Sequence, residues 1–330
     1  MRRFLFVLSV IFVFGTFSSC GLPVKKGNGN NVLVANDSTR FNTKGEPIEN
    51  LHAIEISRLE IPKITARDIV ISHTGYSFLY NEAYEQASWV AYELTNEETQ
   101  KGIERTDKFI ADPFVKSGTA NGNDYSGSGY DRGHLAPAGD MGWSSTAMAE
   151  SFYYSNMSPQ LPGFNRGIWK RLEDLVRNWA IEYQSVYVVT GPILTKSLST
   201  IGMNKVAVPA YFYKVILDYT YPETKVIGFI IPNIGSKEPL QKYVVPIDSV
   251  EQVTGIDFFS QLPDQQEILL ESTVSLRLWT WTSSNTSEQR AVSSLTVQCK
   301  GVTKTGRQCK NKTKNTSGYC YLHENQAKNE

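Results

Sequence analysis

Between residues 130 and 173 the chain interleaves Asp131, Arg132, His134, Asn156, Asn165 and Glu173 with Trp143, Phe152, Phe164 and Trp169. Polar groups this dense among so much aromatic bulk describe a site anchored in a core, because large apolar side chains fix the backbone that carries the chemistry. Whatever the chain folds into must gather this stretch on one side of that core.

The residue types point to a reaction. An unperturbed imidazole titrates near pH 6.5, so a neutral His134 can take a proton from water. Arg132 offers a permanent guanidinium fork suited to phosphate oxygens. Pro162 and Gly163, followed by apolar Ile168, Trp169, Leu172, Leu175, Val176 and Trp179, predict a helix opened by Asn165, with Glu173 eight residues on. At 1.5 Å per residue that is about 12 Å along the axis and roughly 80° around it, too far for both side chains to ligate one ion. An amide oxygen as sole direct ligand, with the carboxylate holding the ion's water, suits Mg²⁺, or Mn²⁺ in its place. A base, a hard cation and fixed positive charge together read as phosphodiester hydrolysis. Each group also has a plainer reading: His134 as a metal ligand or a satisfied core histidine, Asn165 as a helix cap, Glu173 as a helix carboxylate paired with Lys170 or Arg177. Asp131 reads as an orienting carboxylate ahead of a metal ligand.

The run DRGH at residues 131–134, followed in order by SNMSPQ, Asn165 and Glu173 and preceded by ERTDKFIADP, resembles the sugar-non-specific DNA/RNA endonucleases of the ββα-metal superfamily. The likeness spans roughly residues 70 to 265. It implies an α+β fold in which a mainly antiparallel sheet is flanked by helices. It further implies His134 as general base, Asn165 as direct Mg²⁺ ligand and Glu173 as a carboxylate acting on the ion through water. Arg132 becomes the motif arginine, Arg105 the contact to the scissile phosphate and Asn156 a further polar position of the catalytic set. The implied products carry 5′-phosphates, with little sequence preference on DNA or RNA. An inactive nucleic-acid-binding envelope lipoprotein, or an envelope scaffold, stands as the alternative.

The rest of the chain divides around this domain. Residues 1–20, MRRFLFVLSVIFVFGTFSSC, have the basic start, apolar run and small-residue end of an export signal. FSSC followed by Gly21 is similar to a bacterial lipobox, which predicts lipidation of Cys20 and a lipid-anchored protein of the cell envelope, at the outer membrane. Residues 21–50 read as a flexible spacer. The nuclease domain is assigned 51–281, with strands in ASWVAYELT, SVYVVTGPIL, VPAYFYKVILDY and KVIGFIIPN. SGTANGNDYSGSGYDRG reads as a flexible approach to the site. Residues 282–298 are Ser-, Thr- and Asn-rich and read as a linker to a tail at 299–330.

In that tail Cys299, Cys309, Cys320 and His323 give C-x9-C-x10-C-x2-H, the three sulfurs and one nitrogen that tetrahedral Zn²⁺ accepts. One disulfide plus an unused thiol is the competing reading for an exported chain. The whole chain balances 33 Lys+Arg against 33 Asp+Glu, so a basic global field is absent. The tail alone has seven Lys+Arg against two Asp+Glu, an asymmetry that attracts a polyanion without regard to sequence.

Overall fold

The computed structural model describes residues 56–100, 102–220, 223–281, 297–303, 306–309, 312–313, 319, 323 and 326. The export signal, Cys20, the 21–50 spacer, His52, residues 282–296 and Cys320 lie outside the described residues. Among those described, no helix is long and apolar enough to cross a membrane.

Seven strands form one sheet. In chain order the strands of the domain are β1 (Val70–Ser72), β2 (Ser77–Asn81), β3 (Gln86–Thr95), β4 (Asp131–His134), β5 (Met157–Gln160), β6 (Ser185–Pro192), β7 (Thr200–Ile201), β8 (Val206–Ala207), β9 (Tyr211–Asp218), β10 (Lys225–Pro232) and β11 (Val244–Val245), with β4–β5 and β7–β8 pairing outside this sheet. Neighbours follow the order β1-β2-β3-β6-β9-β10-β11, every pair antiparallel. The four strands expected from β-branched and aromatic runs are its centre. Phe212 and Ile216 on β9 enter one apolar layer while Tyr213, Val215 and Leu217 enter the other. With both faces covered, the strand reads as a continuous apolar run instead of an alternation.

The first face is covered by helix α3 (Lys170–Tyr183), whose Leu172, Leu175, Val176 and Trp179 meet Val90, Val188, Phe212 and Phe229. Trp279, from the expected last apolar segment, packs at 4.4 Å between ring centroids on Trp179, whose indole N–H donates to Thr280 O at 2.6 Å. The second face is covered by α4 (Ile247–Thr254), whose Ile247 and Val250 pack with Phe258, Phe259 and Leu262. Helix α5 (Asp264–Glu271) follows it. Glu251 accepts from Phe258 N–H at 2.8 Å, fastening α4 to the segment after it.

Asp248, Glu251 and Glu271 bring carboxylate oxygens within 4.8 Å of one another beneath that face. Glu271 is 6% exposed, and among the described residues its Oε1 has no hydrogen-bond partner. Burial first, then the charge of Glu251, pushes Glu271 up to about 9 from an ordinary 4.5. Between those values the folded chain holds a proton that the unfolded chain releases, so stability falls as pH rises through the window. Glu271→Gln is expected to raise the melting temperature at pH 8 by several degrees and to change it little at pH 4. Melting curves showing the same shift at both pH values would contradict the assignment.

Two sequence expectations change. The Gly-rich approach is not a loose loop: it contains α1 (Gly122–Tyr125), capped at Asn121, and Asp124 accepts from Asn204 N–H at 3.0 Å and Asn204 Nδ2 at 2.8 Å. An acidic side chain with several donors pins what glycine would leave free. The expected linker also ends early, because Val297–Gln298 (β12) pairs with Lys312–Thr313 (β13).

Candidate active site

DRGH is itself a strand, β4 (Asp131–His134), paired antiparallel with β5 (Met157–Gln160). Gly133 has a packing reason: a Cβ there would stand 2.1 Å from the side chain of Gln160 on the neighbouring strand. Between these strands lies the short helix α2 (Ser145–Glu150), and after them the chain turns into α3. Strand, strand and helix therefore form one unit carrying every central candidate.

His134 sits at the end of β4, 8% exposed, edge-on to Phe152 at 5.0 Å and tilted on Phe109 at 5.8 Å. Among the described residues its Nε2 is buried with no hydrogen-bond partner. Burial, reinforced by the positive charge of Arg105, pulls its pKa down to about 3. The imidazole is therefore neutral, with a ring nitrogen available to accept a proton.

The same two aromatic rings carry the arginines. Arg105 lies 4.9 Å over Phe152 and Arg132 4.0 Å over Phe109. Arg105 also donates to Asp107 Oδ1 at 2.6 Å, forming a surface pair. Both partners of that pair are more than half exposed, and exposed ion pairs contribute about 0–1 kcal/mol, so a phosphate can displace Asp107 at little cost.

Asn156 is fully buried and committed to backbone: Oδ1 accepts from Ala136 N–H at 2.8 Å, while Nδ2 donates to Ala136 O at 2.9 Å and Ser151 O at 2.8 Å. These bonds fix the chain two residues beyond His134. Asn156 has the geometry of a positioning group.

Asn165 does not open a regular helix. Phe164–Trp169 forms a π-type turn with Gly167 at φ −109, ψ −106, and the α-helix begins at Lys170. Among the described residues the Asn165 side chain caps no helix. Instead its Nδ2 donates to Asp131 Oδ2 at 2.9 Å. Arg166 grips both oxygens of Asp131, at 2.8 and 2.6 Å. Asp131 is thus an orienting carboxylate, and the expected spacing from Asn165 to Glu173 on one regular helix does not hold. Irregular turns of this type recur where a helix must aim a functional group.

Glu173, on the first turn of α3, is half-buried. Burial pushes it up to about 7 and pulls Lys214 down to about 8, and each is held against that shift chiefly by the other's charge. Lys214 is fully buried on β9, its Nζ 4.9 Å over the Trp169 ring and, among the described residues, without a hydrogen-bond partner. Arg177 pairs with Asp140 at 2.5 Å and with Asp174, so the carboxylate it reaches by hydrogen bond is not Glu173. Lys170 likewise pairs with Asp174. Lys214 and Asp140 escaped the sequence reading. Arg177, four residues after Glu173, was read from the sequence as a partner for that carboxylate, whereas Lys214 gave no signal.

His73, the other described histidine of the domain, is structural: Nε2 meets Asp112 Oδ2 at 2.8 Å inside a cage with Phe78 and Phe114 stacked on the ring.

A hard divalent ion fits the donors present. With Nδ2 of Asn165 engaged, Oδ1 is the arm left to ligate, and Glu173 is a carboxylate beside fixed positive charge.

The family model described as DNA/RNA non-specific endonuclease matches residues 60–265. Nuclease C1 of Cunninghamella echinulata var. echinulata is 40% identical over 215 residues, which is 60% of this chain and 85% of that protein. Human mitochondrial Endonuclease G is 37% identical over 202 residues, 57% of this chain and 68% of the relative. Mitochondrial Nuclease 1 of Schizosaccharomyces pombe is 33% identical over 249 residues, 68% of this chain and 77% of the relative. Among solved structures, the EndoG/EndoGI complex, described as showing the mechanism of EndoG inhibition, aligns with TM-score 0.57 at 35% identity, over 62% of this chain and 90% of the matched one.

Proposed function

The chain belongs to the DNA/RNA non-specific endonuclease family, and from that premise we propose a Mg²⁺-dependent endonuclease that hydrolyses DNA and RNA with little sequence preference, leaving 5′-phosphate ends. One observation carries the reading: the His134 imidazole packs against two aromatic rings that each bear a guanidinium. His73 also leaves a ring nitrogen, Nδ1, without a hydrogen bond, so the pair of guanidinium groups beside the imidazole is what sets His134 apart.

His134 takes a proton from the attacking water at a ring nitrogen. Arg105 and Arg132 hold the phosphate oxygens, restrained in angle by the rings beneath them. Asn165 Oδ1 would hold the ion directly and Glu173 through water. The bound ion supplies positive charge where negative charge builds on the phosphate and the departing 3′ oxygen. Backbone contacts of this type carry no base information, which accounts for low sequence preference. The apo imidazole is a weak base because two cations and burial oppose its protonation. A phosphate anion between the arginines reverses the electrostatic part, so the base strengthens when substrate arrives.

Supercoiled plasmid and a structured RNA, each incubated with Mg²⁺ and with excess chelator, test this. Cleavage of both substrates is expected, abolished by chelator, restored by added Mg²⁺, and yielding ends that a ligase accepts without prior phosphorylation. Binding without cleavage would favour the non-catalytic nucleic-acid-binding reading, and neither binding nor cleavage the scaffold.

A further inference from the structure

The C-terminal segment holds a second constellation, unrelated to the nuclease residues. Inside the β12–β13 pairing the chain makes a tight turn: Val302 bridges Gln308, Thr303 N–H donates to Arg307 O at 2.8 Å, and Gly306 takes φ +78. Cys309 N–H donates to Gly301 O at 2.7 Å. These bonds set Cys299 and Cys309 at the two ends of one turn, 0% and 4% exposed, and no disulfide joins them. His323 reaches the same point from a later part of the chain, so that the two sulfurs and an imidazole nitrogen all lie within 4.8 Å of one another.

Three details decide what this cluster is for. With Zn–S of about 2.3 Å and Zn–N of about 2.0 Å, a sulfur and a nitrogen on one tetrahedral ion stand roughly 3.6 Å apart. Cys299 Sγ and His323 Nδ1 are 3.6 Å apart. The Gly301 N–H points at Cys299 Sγ at 3.3 Å, an outer donor of the kind that orients a metal ligand. A Cβ on Gly301 would meet both Cβ and Cγ of His323 at 2.4 Å, so the imidazole reaches the sulfurs past a residue that has to be glycine. A disulfide would explain none of these: it needs neither the imidazole nor the bare Cα beside it.

We propose that the tail folds around a Zn²⁺ ion held by Cys299, Cys309 and His323, as a metal-dependent module separate from the nuclease site. In the sequence a further sulfur donor, Cys320, stands three residues before His323, outside the described residues. Binding turns the thiols into thiolates and releases their protons to solvent, with no change of oxidation state. Sulfur donors select Zn²⁺ against the Mg²⁺ of the catalytic domain, so the two sites do not compete for one ion. The need for a metal follows from size. Besides the two cysteines, Tyr319 is the one described hydrophobic residue buried in this segment, and so small a core seldom holds a fold unaided.

Full-length protein purified without chelator is expected to carry about one zinc per chain by elemental analysis, beyond any Mg²⁺. Cobalt substitution should give thiolate-to-metal absorption in the near ultraviolet, which the oxygen donors of the nuclease site do not produce. Cys309→Ser is expected to lower zinc content roughly tenfold and remove that absorption while plasmid nicking persists. His323→Cys keeps a soft donor in place and should retain zinc, which separates loss of a ligand from loss of the fold. Zinc content unchanged in Cys309→Ser, or a disulfide between any two of the three tail cysteines in non-reducing peptide maps, overturns the proposal.

Discussion

His134→Ala is expected to slow plasmid cleavage by roughly 10²–10⁴-fold, the usual contribution of a positioned general base, in kcat and with little change in KM. The side chain removed touches Phe109 and Phe152 but holds no hydrogen bond through Nε2 among the described residues, so the variant should stay folded. Its stability profile provides an independent reading. In the natural chain the folded imidazole refuses a proton down to about pH 3 while the unfolded one takes it near 6.5. Stability is therefore fully present above 6.5 and is lost as pH falls through that window, by an amount on the order of a few kcal/mol. The alanine variant lacks this slope, so it should gain on the natural protein between pH 6 and 4 even though it is the poorer enzyme. NMR titration of the ring should show the low pKa in the free protein and an upward shift when a short phosphodiester binds. Cleavage by the pure variant within tenfold of the natural rate would remove His134 from the base role.

The sequence disclosed the centre of the sheet and the order of the motif because both are written in local residue types. Val186, Val188 and Val189, or Val215, Ile216 and Leu217, form apolar runs rich in β-branched residues, which favour strand. The hairpin that carries His134 was less legible as structure: β4 and β5 have four residues each, too few for a period to show, and Pro159 lies within one of them. It was legible as chemistry, since DRGH names its own side chains. Long-range charge was hidden. Lys214 reads as one polar residue in an apolar strand, and nothing local says that its ammonium ends under Trp169 opposite Glu173. The helix expected at Asn165 failed for a reason present in the sequence but not decisive there: Gly167 adopts torsions that no regular helix permits, and the turn it allows swings Asn165 onto Asp131.

That contact makes the second large effect specific. Asn165→Ala should reduce activity by about 10²–10³-fold, comparable to losing a preorganised electrostatic group, and weaken the Mg²⁺ requirement curve in parallel. Asp131 explains why the natural residue is an amide. Burial alone would raise the Asp131 pKa, but the hydrogen bonds from Arg166 and Asn165 outweigh it and hold the group ionised. An ionised carboxylate accepts and cannot donate, so Nδ2 must face it and Oδ1 is aimed elsewhere. Asn165→Asp, which on ligand strength alone should bind Mg²⁺ more tightly, instead sets two carboxylates against each other and is expected to lose activity as well. Asp131→Asn releases the lock and should cost about 10–100-fold, as removal of a group behind a metal ligand does. In the double variant Asn165→Asp with Asp131→Asn the donor and acceptor exchange places: the new amide at 131 can hold the new carboxylate at 165 in the original orientation. Its activity should exceed that of Asn165→Asp, a coupling that two independent losses cannot produce. Simple additivity in that cycle would mean that Asp131 does not orient Asn165 during catalysis.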